Sequence, residues 1–398
     1  MQTEIENNIL TITLEGRIES NNANQTEMEI MTAVNAVPDA AIVLDAEKLE
    51  YISSAGLRVL MKLIKQGKKG LSVVNVSHEV YDIFEITGFT EMLNVKRRPR
   101  NISVEGCEMI GSGAFGSVYR IDPETIVKLY APFVSLEFVE RERDISKKAF
   151  LIGVPTAIAY DVVKCGDCYG VVYELLNAKT VAQVIAEDPG KIPEVTENCA
   201  VLLKELHQIV PGRDFSMQNR KKEFLEWVDS LSDCITAEEA DKIRDFIRGI
   251  PDRDTFLHGD FNFKNIMTRD GEYQLIDIGD AAIGHPVFDL SMMMMVHMRT
   301  PGFIQKKHGD AEADRLLGYD HTYAAEVWSR LCSAYFGLSS TEEIQAMTQK
   351  LEPYSQLWWT YYHILRSRND KEELQKVIDG ALRGELLTVI ERVPPLDF

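Results

Sequence analysis

No stretch of this 398-residue chain approaches the ~20 consecutive apolar residues that a membrane-spanning helix needs. The run Met292–Val296 is far too short and reads as one buried turn of helix. The chain starts Met1-Gln2-Thr3-Glu4, without the basic and apolar segments of a secretory signal, so a cytoplasmic protein is expected, with no membrane partner. Six cysteines are too few for a disulfide framework in so long a chain, and a reducing compartment follows. Cys165-Gly-Asp-Cys168 lacks the second C-x-x-C or Cys/His pair of a zinc site. Gly166-Asp167 reads instead as a two-residue turn with the cysteines facing across two strands. Basic charge is also short, with 43 Lys+Arg against 62 Asp+Glu, a net of −19. The first hundred residues hold 14 acidic and 11 basic side chains, so most of the excess lies beyond them. An acidic body repels phosphate backbones, so nucleic acid is not an expected partner. It tolerates metal ions and cationic substrates. Neither internal repeats nor low-complexity segments occur.

What is present is the composition of a globular protein, 45% hydrophobic and 26% charged, in a chain too long for one ordinary core. Lys96-Arg97-Arg98-Pro99-Arg100 reads as a solvated linker between two differently patterned regions. Before it, Ile9–Leu14, Ala41–Leu44 and Leu71–Val76 read as strands. Ala55–Gln66 has apolar residues at 57, 60, 61 and 64, a helical spacing, and Val80–Leu93 reads as a second amphipathic helix. Strands alternating with helices over about 100 residues make a small α/β domain. Beyond the linker, short β segments cluster at Glu108–Ile110, Ser117–Ile121, Thr125–Tyr130, Ala157–Val163 and Tyr169–Glu174, with one helix, Leu136–Leu151. From Val181 onward the pattern is mostly helical, broken by strand–loop–strand near 256–277. The predicted domains are 1–98, 102–176 and 177–398, the last largely helical.

Gly111-Ser-Gly113-Ala-Phe-Gly116-Ser-Val118 fits G-x-G-x-x-G-x-V. A dinucleotide-binding loop must open a helix, whereas here β-like Val118–Ile121 follows, then the turn Asp122-Pro123-Glu124 and another strand. That is a glycine-rich hairpin of the kinase kind, whose bare backbone can lie over a triphosphate. A P-loop is excluded, because G-x-x-x-x-G-K-[ST] is absent. Lys128 sits in an apolar strand, Ile126-Val127-Lys128-Leu129, where its ammonium needs an anion such as the α/β-phosphates of ATP. A glutamate of Leu136–Leu151 should hold it, and Glu137, Glu140 and Glu142 are on offer. In His258-Gly259-Asp260-Phe261-Asn262-Phe263-Lys264-Asn265, Asp260 would take the acceptor hydroxyl's proton while Asn265 ligates Mg²⁺. A hairpin with an Asp270-Gly271 turn then delivers Asp277 of Asp277-Ile278-Gly279, the second Mg²⁺ ligand. Asp280 is expected to be supporting or solvated, Asp289 a helix N-cap and His258 a brace for the loop.

This ordered set resembles the aminoglycoside phosphotransferase/choline kinase group over roughly residues 102–398, although the last 90 match only in being helical. His-Gly-Asp in place of His-Arg-Asp, and Asn262 where protein kinases usually have lysine, point to that group. So do the helix Leu202–His207 and the hinge-like Tyr173-Glu174-Leu175-Leu176. The resemblance favours Glu142 as the partner of Lys128, from its interval to Gly153-Val154-Pro155. It also implies that Glu174 and Leu176 flank the adenine, bound through the hinge backbone.

Residues 5–95 resemble the STAS family of anti-sigma factor antagonists, through Leu14-Glu-Gly16-Arg-Ile18, Ile42-Val-Leu44-Asp45 and Tyr51-Ile-Ser53-Ser54-Ala-Gly56-Leu-Arg-Val-Leu60. In that family a serine opening this helix is phosphorylated and controls release of a protein partner. Aligning on Gly56 places the acceptor at Ser54. The usual preceding Asp is Ser53 here, which keeps both serines in play. Either can also simply cap the helix.

The expected architecture is therefore an α/β STAS-like domain followed by an α+β bilobal domain of the protein-kinase-like, aminoglycoside phosphotransferase type. The expected activity is an ATP- and Mg²⁺-dependent transfer of the γ-phosphoryl group to a hydroxyl of a small molecule, under a STAS-type regulatory domain with a protein partner. The alternative is a signalling protein whose kinase domain phosphorylates protein serine, Ser54 included, or only senses nucleotide.

Overall fold

A computed structural model describes residues 1–67, 70–113, 116–212, 217–393 and 395–398, with the side chain of Arg392 left out. The chain divides into two compact units, Met1–Ser103 and Val104–Phe398. Among the described residues no helix is long and apolar enough to cross a membrane.

In the first unit the strands Gln2–Glu6, Ile9–Ile18, Ala41–Ile52, Ser72–Val76 and Asn94–Arg97 form one sheet in chain order. The first pair is antiparallel and the rest are parallel. Alternation sets the buried face: Leu10, Ile12 and Leu14 point inward from one strand, Ile42, Leu44 and Ala46 from the next. The helix Ser54–Lys65 covers that face with Leu57, Leu60 and Leu63. Its N-terminus is capped by Ser53, whose Oγ accepts from Gly56 N at 3.4 Å.

Two expectations for this unit are corrected. Val80–Leu93 is not one helix: His78–Ile86 and Phe89–Met92 are separated at Gly88, which takes the left-handed conformation at φ +73°. The basic stretch is not simply a solvated linker, because Asn94–Arg97 pairs in parallel with Ser72–Val76. The Arg97 guanidinium lies over the Tyr81 ring, 3.7 Å from its centroid, and within 3.9 Å of Asp82 and Glu85.

In the second unit, antiparallel strands lie side by side in the order Ala159–Cys165, Cys168–Glu174, Thr125–Tyr130, Gly116–Arg120, Glu108–Ser112. Cys165 and Cys168 face each other across the Gly166-Asp167 turn, and all six cysteines are free thiols. The helix Leu136–Leu151 buries Val139, Ile145 and Ala149. The remainder is helical around a core in which Phe224 meets Trp358 edge-on at 4.8 Å and stacks on Phe288 at 5.6 Å. Two small sheets interrupt the helices. One pairs Ile266–Arg269 with Glu272–Leu275 across a turn in which Asp270 and Gly271 both have positive φ; the other pairs Thr255–Leu257 with Ala282–Gly284.

Candidate active site

Strand pleating decides which side chains meet. Val118 and Val171 lie directly opposite Lys128 on the two flanking strands, so all three share one face with Tyr130 and Tyr173, each two residues further on. The helix Leu136–Leu151, capped by Ser135, presents Glu142 to this face, only 5% exposed, while Glu137 lies in solvent. Lys128 Nζ contacts Glu142 Oε1 at 2.8 Å and Asp277 Oδ1 at 2.7 Å. Burial would depress the Lys128 ammonium, but the Asp277 and Glu142 carboxylates outweigh it and hold it charged above its ordinary range. Gly279 makes room for this pairing, since a Cβ there would lie 2.9 Å from the Glu142 carboxyl.

The glycine-rich hairpin places Gly111 opposite Val118, and Gly113 N donates to Gly116 O at 2.9 Å. Its tip, Ala114-Phe115, lies outside the described residues. At the other end of the sheet, Glu174 N donates to Ile158 O at 2.9 Å, and Glu174 Oε2 accepts from Ile158 N at 3.3 Å. Leu175 N is taken up by Glu124 O at 2.7 Å. Among the described residues no backbone oxygen accepts from Leu176 N.

The segment His258–Asn265 forms a tight loop around Asp260. Asn262 Nδ2 and Asn265 Nδ2 each donate to the Asp260 carboxylate at 3.0 Å. Burial pushes this carboxyl up to about 7, and Asp277 and Asp280 add to the rise against the two asparagines. His258 is fully buried and uncharged by that burial; Nδ1 accepts from Asp260 N at 3.3 Å and Nε2 donates to Ile276 O at 3.2 Å. Ile276 N donates to Asn265 O at 2.9 Å, and Leu275 N to Pro155 O at 2.7 Å. These bonds deliver Asp277, at φ 59° and ψ 54°, to the Lys128–Glu142 pair. Asp280 is exposed, and its carbonyl accepts from Arg220.

Asp289 is not a helix N-cap. Pro286 occupies that position before Val287–Met294, and Asp289 lies in the first turn, fully buried. Its carboxylate accepts from His258 N at 2.8 Å and Gly259 N at 2.9 Å, and from His207 Nε2 at 3.3 Å. His207 Nδ1 in turn accepts from the Tyr335 hydroxyl at 2.7 Å. Burial would raise the Asp289 carboxyl, but the His207 hydrogen bond and the loop amides hold it below its ordinary value. Asp289 is thus the anchor of the Asp260 loop. Its sequence signal, an aspartate just before an apolar helical run, is shared by ordinary caps.

The donor set suits a hard divalent cation. Asn265 Nδ2 donates to the Asp260 backbone carbonyl, which can only accept, so the free end of the amide is its oxygen. Asp277 keeps a half-exposed carboxylate, with one oxygen on Lys128. An amide oxygen and a carboxylate are magnesium-type ligands.

Residues 106–330 match the phosphotransferase enzyme family, and residues 1–101 match the STAS domain. Over 90 residues, which make up 22% of this chain and 77% of the relative, the sequence is 37% identical to BtrV of Bordetella bronchiseptica, named as an anti-sigma factor antagonist. Among solved structures, a choline/ethanolamine kinase family protein from Mesorhizobium loti is similar at a TM-score of 0.46, with 15% identity, covering 72% of this chain and 88% of that one. The ADP-bound aminoglycoside phosphotransferase APH(2'')-Ib is similar at a TM-score of 0.48, with 17% identity, covering 71% and 94%. With more than half of its length in that match, the chain belongs to the phosphotransferase enzyme family and carries a STAS domain ahead of it.

Proposed function

We propose that the second unit transfers the γ-phosphoryl group of ATP to a hydroxyl of a small molecule, and that the STAS domain regulates it. In this reading residues 102–176 hold the nucleotide and 177–398 the acceptor. Gly111, Gly113, Gly116 and Val118 roof the triphosphate, and Leu176 N–H and the Glu174 backbone bracket the adenine. Lys128, steadied by Glu142, binds the α/β-phosphates. Asn265 and Asp277 would hold Mg²⁺, which supplies charge neutralisation on the β/γ-oxygens when bound. Asp260 orients the acceptor hydroxyl and takes its proton. A carboxyl raised to about 7 is suited to that task, since it is basic enough to receive a proton yet largely ionised just above neutrality. The observation that carries the proposal is the double contact of Lys128 with Glu142 and Asp277, at 2.8 and 2.7 Å, beside an aspartate gripped by two asparagines.

In the STAS domain, Ser54 is the proposed phosphorylation site and Ser53 its structural neighbour. Ser54 is exposed at the first position of its helix, whereas Ser53 Oγ is engaged by Gly56 N. A phosphate added there would meet free helix N–H groups and change the charge of any surface docked by a protein partner.

Incubation of the full chain with γ-labelled ATP, Mg²⁺ and a panel of small alcohols and amino-alcohols tests the acceptor. Label should move to a small hydroxyl compound. Label found only on Ser54 of the chain would replace the small-molecule acceptor with a protein one, and nucleotide binding without any transfer would reduce the domain to a sensor.

A further inference from the structure

The hydroxyl of Tyr173 has no role in the scheme above, yet it reaches into its centre. Tyr173 is the last but one residue of the strand Cys168–Glu174 and the first of the hinge-like segment Tyr173–Leu176. Its hydroxyl lies 3.3 Å from Glu142 Oε1, the same oxygen that Lys128 contacts at 2.8 Å. Ser146, one helical turn beyond Glu142, comes within 3.5 Å of the Tyr173 hydroxyl. Ser146 Oγ already donates to Glu142 O at 3.0 Å, so towards Tyr173 it can only accept, and the Tyr173 proton goes to the nearer and charged acceptor, Glu142 Oε1. Tyr130 lies on the same face, 1% exposed, its ring 5.1 Å from Lys128 Nζ. Burial, then the neighbouring Glu142 charge, hold the Tyr173 phenol protonated well above its ordinary range.

We infer that Tyr173 is a positioning residue that ties the hinge strand to Glu142 and keeps that carboxylate, and through it Lys128, in place when nucleotide phosphates draw on the Lys128 ammonium. The physical need is plain. Lys128 divides its charge between Glu142 and Asp277, and an arriving phosphate takes a share. Glu142 is almost stripped of water, so each donor lost from it carries a desolvation cost. The phenol is a donor that phosphate does not compete for. Because it sits on the first residue of the hinge-like segment, base contact and phosphate contact are joined by one side chain. This inference rests on the phosphotransferase reading and deepens it.

The test is calorimetric binding of Mg²⁺–ATP and of adenosine to the full-length wild type, Tyr173→Phe, Glu142→Gln and the double variant. Tyr173→Phe keeps the ring and its packing, and an unchanged unfolding midpoint confirms the fold. The expected result is ATP affinity about tenfold weaker in Tyr173→Phe, the scale of a lost hydrogen bond to a charged group. Adenosine affinity should stay as in the wild type, and Tyr173→Phe should add nothing in the Glu142→Gln background. Equal ATP affinity in wild type and Tyr173→Phe overturns the inference, as does an equal loss for adenosine, which would place the hydroxyl in the base pocket. A wild type that binds adenosine and ATP alike, or neither, overturns the phosphotransferase reading itself.

Discussion

Lys128 Nζ and Asp277 Oδ1 meet at 2.7 Å although 149 residues separate them in the chain. The contact joins the strand Thr125–Tyr130 to the segment that follows the hairpin 266–275, and it gathers the charges of the site around one ammonium. If Asp277 and Asn265 hold Mg²⁺, removing the metal should abolish phosphoryl transfer and leave the fold intact. Turnover measured before and after chelation, and again after Mg²⁺ is returned, checks this. Asp277→Asn should raise the Mg²⁺ concentration needed for half-maximal rate by at least about tenfold, the scale of one lost charged ligand.

Asp260 gives a pH signature in two readouts. A base must be ionised to act, so kcat/KM for ATP and an acceptor should rise with pH through an apparent pKa of about 7 and then level off. The folded-state pKa lies above the ordinary carboxyl value of 3.8, so the native state binds the extra proton between those limits. Stability contributed by this group is therefore present below pH ~4 and lost as pH rises through about 7. Asp260→Asn should then raise the unfolding midpoint by roughly 2–4 °C at pH 8 and much less at pH 5, measured by scanning calorimetry.

Asp289 should matter to both stability and rate. Asp289→Ala leaves the buried amides of His258 and Gly259 and the His207 ring without their acceptor. The expected cost is roughly 3 kcal/mol in denaturant unfolding, together with a kcat that falls more than KM rises, because the loop carrying Asp260 loses its anchor.

The two serines of the STAS domain should separate cleanly. Ser53→Ala removes a helix cap and should lower the stability of that domain by about 1 kcal/mol. Ser54→Ala should change stability by less than about 0.5 kcal/mol. In cell-derived protein examined by mass spectrometry, phosphate is expected on Ser54 and absent in Ser54→Ala.

The site was legible where its residues lie close together in the chain or in a patterned strand. His258–Asn265 packs a carboxylate, a buried imidazole and two side-chain amides into one short segment, and Lys128 stands out as a cation amid apolar neighbours. Asp289, His207 and Tyr173 were not legible in these roles, because each acts on a group far along the chain. Asp289, for instance, serves amides about 30 residues away, through bonds that only the packed fold creates. Local structure failed for similar reasons. The helix Ala23–Ala36 buries only Ala23, Ile30 and Val34, too sparse a pattern to read. Asn94–Arg97 hid a parallel strand beneath a basic run whose charges find tertiary partners. Gly88 interrupted a helical periodicity that continued past it.

The most direct test of the central claim, that Lys128, Glu142, Asp260 and Asp277 serve one phosphoryl-transfer reaction, is to measure ATP turnover and ATP affinity together in Asp260→Asn. Turnover should fall by about 10²–10⁴-fold while nucleotide affinity stays within about twofold of the wild type. Turnover equal to that of the wild type would contradict it.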